Sequence, residues 1–395
     1  MTSTATELTP KEIPTFIDDD IGLFRRIWRG RIWYGTEWYI TVLGGLILVL
    51  ITLITLLAPQ IAPFDPNKFV GGQFIPPGGG HQAILVRAGE NPVSSEAELL
   101  DQHVGVHRNK NGNIVANELE LDFTRFQLQD QLLDALNTGE VDVILIDERE
   151  TEEVLLDYAS FEMTGSGIGQ RFLLGTDHLG RDILSRLIWG ARTILGVATL
   201  SAIFSSTIGI SLGLVSGFIS GPIDRILTLI MDSLYAFPGL LLAIALAAML
   251  GPGVLNVTIA ISVIYIPTFF RIVRGQVLSI KEQLYIEAAR SLGAKSREIL
   301  ARYIFPNVLP SVVVVFSLNV ADAILTEAGL SFLGLGLPPD IPDWGFDVSK
   351  GRQFLVAGHW WMITLPGFMI TLVALGFSLL GEGLSEMLNP RLVKN

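Results

Sequence analysis

The sequence predicts an all-α polytopic membrane protein with six transmembrane helices and an extracytoplasmic α/β domain inserted between the first and second. Three observations predict this class. Half of the residues are hydrophobic and 17% are charged, against about 25% charged in an ordinary soluble domain. The apolar residues gather in runs that approach or exceed the ~20 residues needed to cross ~30 Å of hydrocarbon. The net charge of −12 sits in one block: Gln60 to Ile183 carries 21 acids and eight bases, and the rest of the chain carries 18 acids and 19 bases. Lys and Arg beside spans are retained in the cytoplasm, while acid-rich segments can cross. That block is therefore expected outside.

The elements follow in order. Residues 1–20 are polar and read as a mobile tail. "GLFRRIWRGRIWY" (Gly22–Tyr34) alternates large apolar residues with arginines. It suits an amphipathic helix in the cytoplasmic headgroup layer or a plain positive flank, and both place the N-terminus inside. The first span lacks a small-residue cleavage pattern and reads as an anchor, not a signal peptide. The expected division is 1–37 tail and interfacial helix, 38–58 first span, and 59–184 external insert with its linker. A five-helix core over 185–391 with a cytoplasmic segment 275–305 follows, then a tail, 392–395.

Within the core, span two is read at about Ser185–Ile219. Glycines at 209, 213, 217 and 221 repeat every fourth residue and predict a face for close helix packing. Span three is read at about Ile223–Leu250 and ends in "GPG", a tight turn. Span four covers about Val254–Arg274 and span five about Pro306–Leu330. An irregular external stretch, Gly334–Trp361, precedes span six at Met362–Leu384, and the tail holds Arg391 and Lys394. Counting from a cytoplasmic N-terminus puts 275–305 inside. Its bases, Arg271, Arg274, Lys281, Arg290, Lys295, Arg297 and Arg302, place it there independently.

In the insert, "AILVRAG" (Ala83–Gly89), "VGVH" (Val104–His107) and Val141–Ile146 read as strands. "SSEAELLDQ" (Ser94–Gln102), the run ending at Gly139 and the run after "ERE" read as helices, so the segment is α/β. With no cysteine in the chain, disulfides, thiolate metal sites and a Cys nucleophile are excluded. His103 and His107 would lie ~13 Å apart on a strand, too far for one ion, so no metal site is expected.

The cytoplasmic segment is charged where its neighbours are apolar. "SIKE" (Ser279–Glu282) has the form of a capping box. A helix is expected from it to about Leu292, closed by Gly293 in the left-handed conformation. Ser296 is expected to cap a second helix that runs toward Pro306. Two small alanines beside an acid could dock in a partner's groove; a solvated connection is the alternative.

"EAARSLGAKSREILARYIFPNVLP" (Glu287–Pro310) resembles the EAA–G–LP signature of permease subunits in bacterial ABC importers. "LLGTDHLGRDILSRLIWGAR" (Leu173–Arg192), "DSLYAFPGLLLAIALAAMLGPG" (Asp232–Gly253), "RIVRGQVLSI" (Arg271–Ile280) and "EAGLSFLGLGLPPDIPDWG" (Glu327–Gly345) are similar to the dipeptide/oligopeptide/nickel importer permeases. They are closest to the second of the two paired permeases, and the likeness covers about Arg171–Arg391. The resemblance implies a type I importer permease: an alternating-access core built with a second homologous permease, two cytoplasmic ATPase subunits and an extracytoplasmic solute-binding protein. It implies a bacterial or archaeal plasma membrane, both termini cytoplasmic, a peptide or related solute as cargo, and no nucleic acid. It also implies that Glu287, Ala288, Ala289, Arg290 and Gly293 form the coupling segment. The chain has no G-x-x-x-x-G-K-[ST] loop. It is expected to be non-catalytic and to bind no cofactor, with ATP and Mg held by the partner ATPases.

The insert's order of strand, short helix, "VGV", helix and "GEVDVILID" resembles the second lobe of amino-acid-type periplasmic binding proteins. That implies a vestigial or accessory lobe, a docking platform or a gate; direct solute binding and an inert cap are the alternatives. In span five, Asn319, Asp322 and Thr326 share one helical face by the three/four spacing. They read either as a polar wall of the translocation path, meeting the amino group or backbone of a peptide, or as hydrogen-bonding groups to a neighbouring helix. Asp343, Trp344 and Gly345 lie in the external irregular stretch, where the resemblance to the importer permeases implies a gate in contact with the solute receptor. The rival class is a membrane sensor whose external lobe binds a ligand. A secondary transporter would show inverted repeats, and none is visible.

Overall fold

The computed structural model describes residues 36–387. The Gly22–Tyr34 stretch and the tail with Arg391 and Lys394 lie outside them. The first apolar run forms α1 (Thr36–Leu56), and a short turn, α2 (Ala58–Ile61), follows with Pro59 near its start.

The insert folds as a five-stranded sheet with helices on both faces. In chain order it has β1 (Gln82–Arg87), α3 (Glu96–Leu99), β2 (Val104–His107), α4 (Asn111–Glu118), β3 (Phe123–Phe126), α5 (Gln129–Thr138), β4 (Val143–Asp147), α6 (Thr151–Asp157) and β5 (Phe161–Ile168). The sheet order is β3-β2-β4-β1-β5; β2 is parallel to β3 and β4, and β1 is antiparallel to β4 and β5. The apolar runs of β1 and β4 are buried on both faces because helices cover both. Ile84, Val86, Val143 and Leu145 pack with Val115 and Ala116 of α4. Ala83, Leu85, Ile144 and Ile146 pack with Leu132 and Leu136 of α5. β3, α4 and β5 were not expected. "NGNIVANE" is rich in poor helix formers, and β5 holds Gly165 and Gly167, which weaken a strand signal.

Two linkers tie the insert to the bundle. Val70 and Gly71 donate to the Gly180 carbonyl at 3.0 and 3.1 Å, Phe74 donates to Asp177 O at 3.1 Å, and Phe172 donates to Gly79 O at 2.8 Å. Gly180 must be glycine: its φ is +77°, and a Cβ would lie 2.1 Å from Gly71 O. Asn111 of α4 accepts from Gly72 N at 3.0 Å and donates to Gly80 O, so the insert's own helix grips its linker.

The bundle begins with α7 (Ile183–Ile219), whose 37 residues span roughly 55 Å at 1.5 Å per residue. Asp182 caps it, accepting from Ser185 N at 2.7 Å. The glycine face packs as expected on α10, introduced below. A Cβ on Gly209 would lie 2.6 Å from Phe269 Cβ; on Gly213, 2.9 Å from Phe270 O; on Gly217, 2.8 Å from Val277 Cβ. Gly221 instead adopts φ +74° at the start of the next helix. Gly209→Ala is therefore expected to destabilise the protein by about 1–3 kcal/mol through overpacking. The thermal midpoint of the detergent-purified protein reads this; an unchanged midpoint would contradict the close approach.

Span three differs from expectation. It is two helices, α8 (Gly221–Tyr235) and α9 (Gly239–Leu250), bent by 89°. Pro238 lies at the break; it lacks an N–H and pushes Phe237 away from helical geometry. α10 (Val254–Ile280) follows and runs six residues past the expected end at Arg274. Ser279 is therefore helix interior and "SIKE" is no capping box; the membrane helix supplies the preceding turn, so no orphan amides await a cap.

α11 (Leu284–Ser291) is the short charged helix. The next helix is not a separate capped unit: α12 runs unbroken from Ser296 to Phe332, with Lys295 at its N-cap and no side-chain cap. It passes Pro306 through a π-helical turn at Ile299–Ile304. The widened turn moves the carbonyl that a proline ring would strike in an unbroken α-helix. The stretch expected to be irregular contains α13 (Trp344–Gly351), and α14 (Trp361–Met387) closes the bundle against α1. Among the described residues, five helices are long and apolar enough to cross a membrane, or six if the bent pair counts as one.

Candidate coupling surface and membrane path

α11 is short, yet it is firmly seated. Its Ile286 is fully buried with Val273 and Val277 of α10 and Ile299, Ile304 and Val308 of α12; Ile210, Leu214 and Phe218 of α7 flank the cluster. A displacement of α11 therefore bears on the ends of three long helices. Gly293 has φ +89° and closes α11 as expected: its N–H reaches Arg290 O and the Ala294 N–H reaches Ala289 O, both at 3.0 Å. This double bond satisfies the orphan carbonyls.

The opposite face is open. Glu287, Ala288, Arg290 and Gly293 are exposed, whereas Ala289 is turned inward and buried. Leu284 is 81% and Leu292 89% exposed, beside a half-exposed Tyr285. The open side of α11 and its C-cap thus carries large apolar side chains beside the charged Glu287 and Arg290.

The sequence reading missed what holds α8. Arg274 on α10 forms a two-point pair with Asp224 at 2.6 and 2.8 Å, and Arg271 pairs with Asp232 at 2.7 Å. Arg271 also lies 4.2 Å above the Tyr235 ring. Lys281 donates to Gly217 O at 3.0 Å and Ser220 Oγ at 2.7 Å, closing the end of α7. Arg271 and Arg274 thus fasten α8 to α10, and Lys281 fastens the end of α7 to the end of α10.

The three polar residues of α12 do not act as one wall. Asn319 is buried, with its Oδ1 unpartnered among the described residues. Asp322 is exposed, and Thr326 is half-buried, donating to Asp322 O at 2.8 Å and meeting Tyr265 Oη of α10 at 3.0 Å.

Asp343, Trp344 and Gly345 present no surface to a receptor; all three are buried. Trp344 donates from Nε1 to Leu187 O at 3.0 Å and fills the space left by Gly190. A Cβ on Gly345 would lie 2.4 Å from Ala328 O. Asp343 caps α13, accepting from Gly345 N at 2.8 Å, and burial pushes its carboxyl up from the ordinary value. These residues lock α13 between α7 and α12. The lock is completed by Arg186, whose Nη2 reaches Asp347 Oδ1 at 2.6 Å and whose Nη1 reaches Pro66 O at 3.2 Å.

Beside it, rings join the insert's linker to the loop before α14. Phe74, held at φ +58°, stacks on His359 at 4.3 Å and meets Phe354 at 4.9 Å; His178 stacks on Phe354 at 5.5 Å. Trp361 Nε1 donates to Thr176 O at 3.1 Å. Burial lowers both histidines below their ordinary value. A depressed imidazole binds its proton more readily in the unfolded chain. Its stabilisation is therefore full above the unfolded pKa of about 6.5 and is lost as pH falls below it. The thermal midpoint is expected to drop below about pH 6.5, with a shallower drop in a His178→Phe/His359→Phe variant. Equal slopes would contradict the lowered imidazoles.

Comparison with known proteins adds the relatives. A family model for the binding-protein-dependent transport system inner membrane component matches residues 209–394. The chain is 43% identical over 237 residues to the glutathione transport system permease protein GsiD of Pectobacterium atrosepticum, covering 60% of this chain and 78% of that one. It is 41% identical over 218 residues to the dipeptide transport system permease protein DppC of Alkalihalophilus pseudofirmus, covering 55% and 71%. Among solved structures, domain 2 from TmArgBP is similar at 17% identity and TM-score 0.21, covering 21% of this chain and 94% of that one.

Proposed function

The chain belongs to the family of binding-protein-dependent transport system inner membrane components, and from that premise we propose how it works. It is a multi-pass transmembrane permease subunit of an ABC importer and is itself non-catalytic, the ATPase residing on partner subunits. In our reading the bent pair α8–α9 counts as one of six spans. The N-terminus and α11 lie in the cytoplasm, and residues 59–184 form an extracytoplasmic accessory domain. The transported solute is a peptide or a related small molecule, the class named for the two relatives. Partners are a second homologous permease, two ATPase subunits that hold ATP and Mg, and an extracytoplasmic solute-binding protein.

The observation that carries this reading is the two-sidedness of α11. One face is packed into the ends of α7, α10 and α12, and the other shows Leu284, Tyr285, Ala288 and Leu292. A groove on an ATPase that closes on nucleotide would take the open face and carry the packed face with it. Glu287, Arg290 and Gly293 belong to the docking side. Ala289 acts as a spacer that lets α11 sit close to the bundle. Asp322 and Thr326 face the translocation path, since a carboxylate at membrane depth is costly unless it meets a cavity or a partner. Affinity purification in mild detergent, with identification of every retained chain, tests the assembly. A second permease and ATPase subunits are expected; a kinase in their place would support a sensor and overturn the reading.

A further inference from the structure

The hydrogen bonds around Asp322 say what kind of group that face accepts. Thr326 has a single hydroxyl hydrogen, and it is spent on the Asp322 carbonyl at 2.8 Å. Tyr265 must therefore donate its own hydrogen to Thr326 Oγ1, 3.0 Å away. The Tyr265 oxygen is left with free lone pairs and no hydrogen to give. Asp322, one turn from Thr326, is exposed and enters no ion pair among the described residues. As a carboxylate it too only accepts. On α12 it stands between Leu318 and Leu325, 39% and 53% exposed, so the patch is acceptor-only within an apolar strip.

We propose that Asp322 and the Tyr265 hydroxyl form a recognition site for the ammonium group of the transported solute, with Thr326 positioning Tyr265. The site rests on the reading that this face of α12 lines the path. Within an apolar strip a charge-assisted donor is the group that satisfies both oxygens at once. A carboxylate gains nothing from a surface without donors, and a neutral N–H or O–H lacks the charge attraction to Asp322. Tyr265 is thus a specificity residue that sequence spacing alone does not reveal, since it lies on a different helix.

The chain contains no cysteine, so a single introduced thiol reports on the site without the solute being identified. In the assembled importer, Leu325→Cys is reacted with a trimethylammonium and with a sulfonate methanethiosulfonate reagent of similar size. A unit charge about 6 Å away in wet surroundings favours the cationic reagent about tenfold. The preference should vanish when Asp322→Asn is added. Leu318→Cys repeats the measurement about one turn to the other side of Asp322 on α12. Labelling at equal rates would overturn the ammonium site while leaving the path reading intact, and it is also the result expected if a cation of the second permease already neutralises Asp322. Labelling by neither reagent at either position would overturn both.

Discussion

Arg186→Ala should prevent the permease from accumulating as a folded, assembled subunit. The guanidinium is 2% exposed and makes three contacts with Asp347, at 2.6, 3.1 and 3.1 Å, besides its bond to Pro66 O. Removing it leaves the Asp347 carboxylate unpaired in a site that is 85% shielded by the fold. Breaking such a buried pair costs about 3–5 kcal/mol. That is comparable to a large part of the 5–15 kcal/mol that holds a typical domain together. α13 would lose its hold on α7, and with it the seat of Trp344. Because the penalty comes from a stranded charge, Arg186→Met with Asp347→Leu should recover much of the loss; replacing a buried pair by apolar residues is often neutral. Membrane yield and thermal midpoint read both variants. A single mutant as stable as the wild type, or a double mutant no better than the single, would contradict the assignment.

Glu287→Lys with Gly293→Val should leave the protein inserted and folded but cut uptake about 5- to 150-fold, the range of a 1–3 kcal/mol coupling. Glu287 is exposed and reverses charge only at the docking face. A Cβ at Gly293 would meet nothing within 4 Å, so the cost there is conformational and not a clash. At φ +89° a valine is strained by roughly 1–2 kcal/mol. It should leave the left-handed region and undo the bonds to Arg290 O and Ala289 O that fix the helix end. The ATPase subunits would then turn over without moving the spans. Uptake and ATP hydrolysis measured in the same proteoliposomes separate this from simple loss of protein: hydrolysis should persist while uptake falls. Full uptake in the double mutant would contradict the coupling role of α11.

What could be read from the sequence follows physical range. The long helices were legible because hydrocarbon demands uninterrupted apolar runs, and α7 with its glycine face was placed to within two residues. Gly293 was legible because few residues tolerate its conformation. The break at Pro238 was visible as a residue, but an apolar run on both sides hid its effect. Ser279 misled for a related reason: a serine followed by a glutamate reads the same in a helix interior as at a cap. Arg186 and Asp347 stand 161 positions apart, and no local pattern joins them. Asn319 and Asp322 share a helix face by spacing. Yet the neighbouring helices cover one and not the other, and only packing decides that. The family resemblance sets Asp343, Trp344 and Gly345 against a receptor, whereas packing between α7 and α12 buries them.

The coupling role proposed for α11 requires it to be a cytosolic docking helix. Its most direct test is Ala288→Cys, exposed on α11 and the sole cysteine of the chain. It should resist a membrane-impermeant thiol reagent added from outside and, in the assembled importer, crosslink to an ATPase subunit through a short bismaleimide. Labelling from outside, or no crosslink to any ATPase subunit, would contradict it.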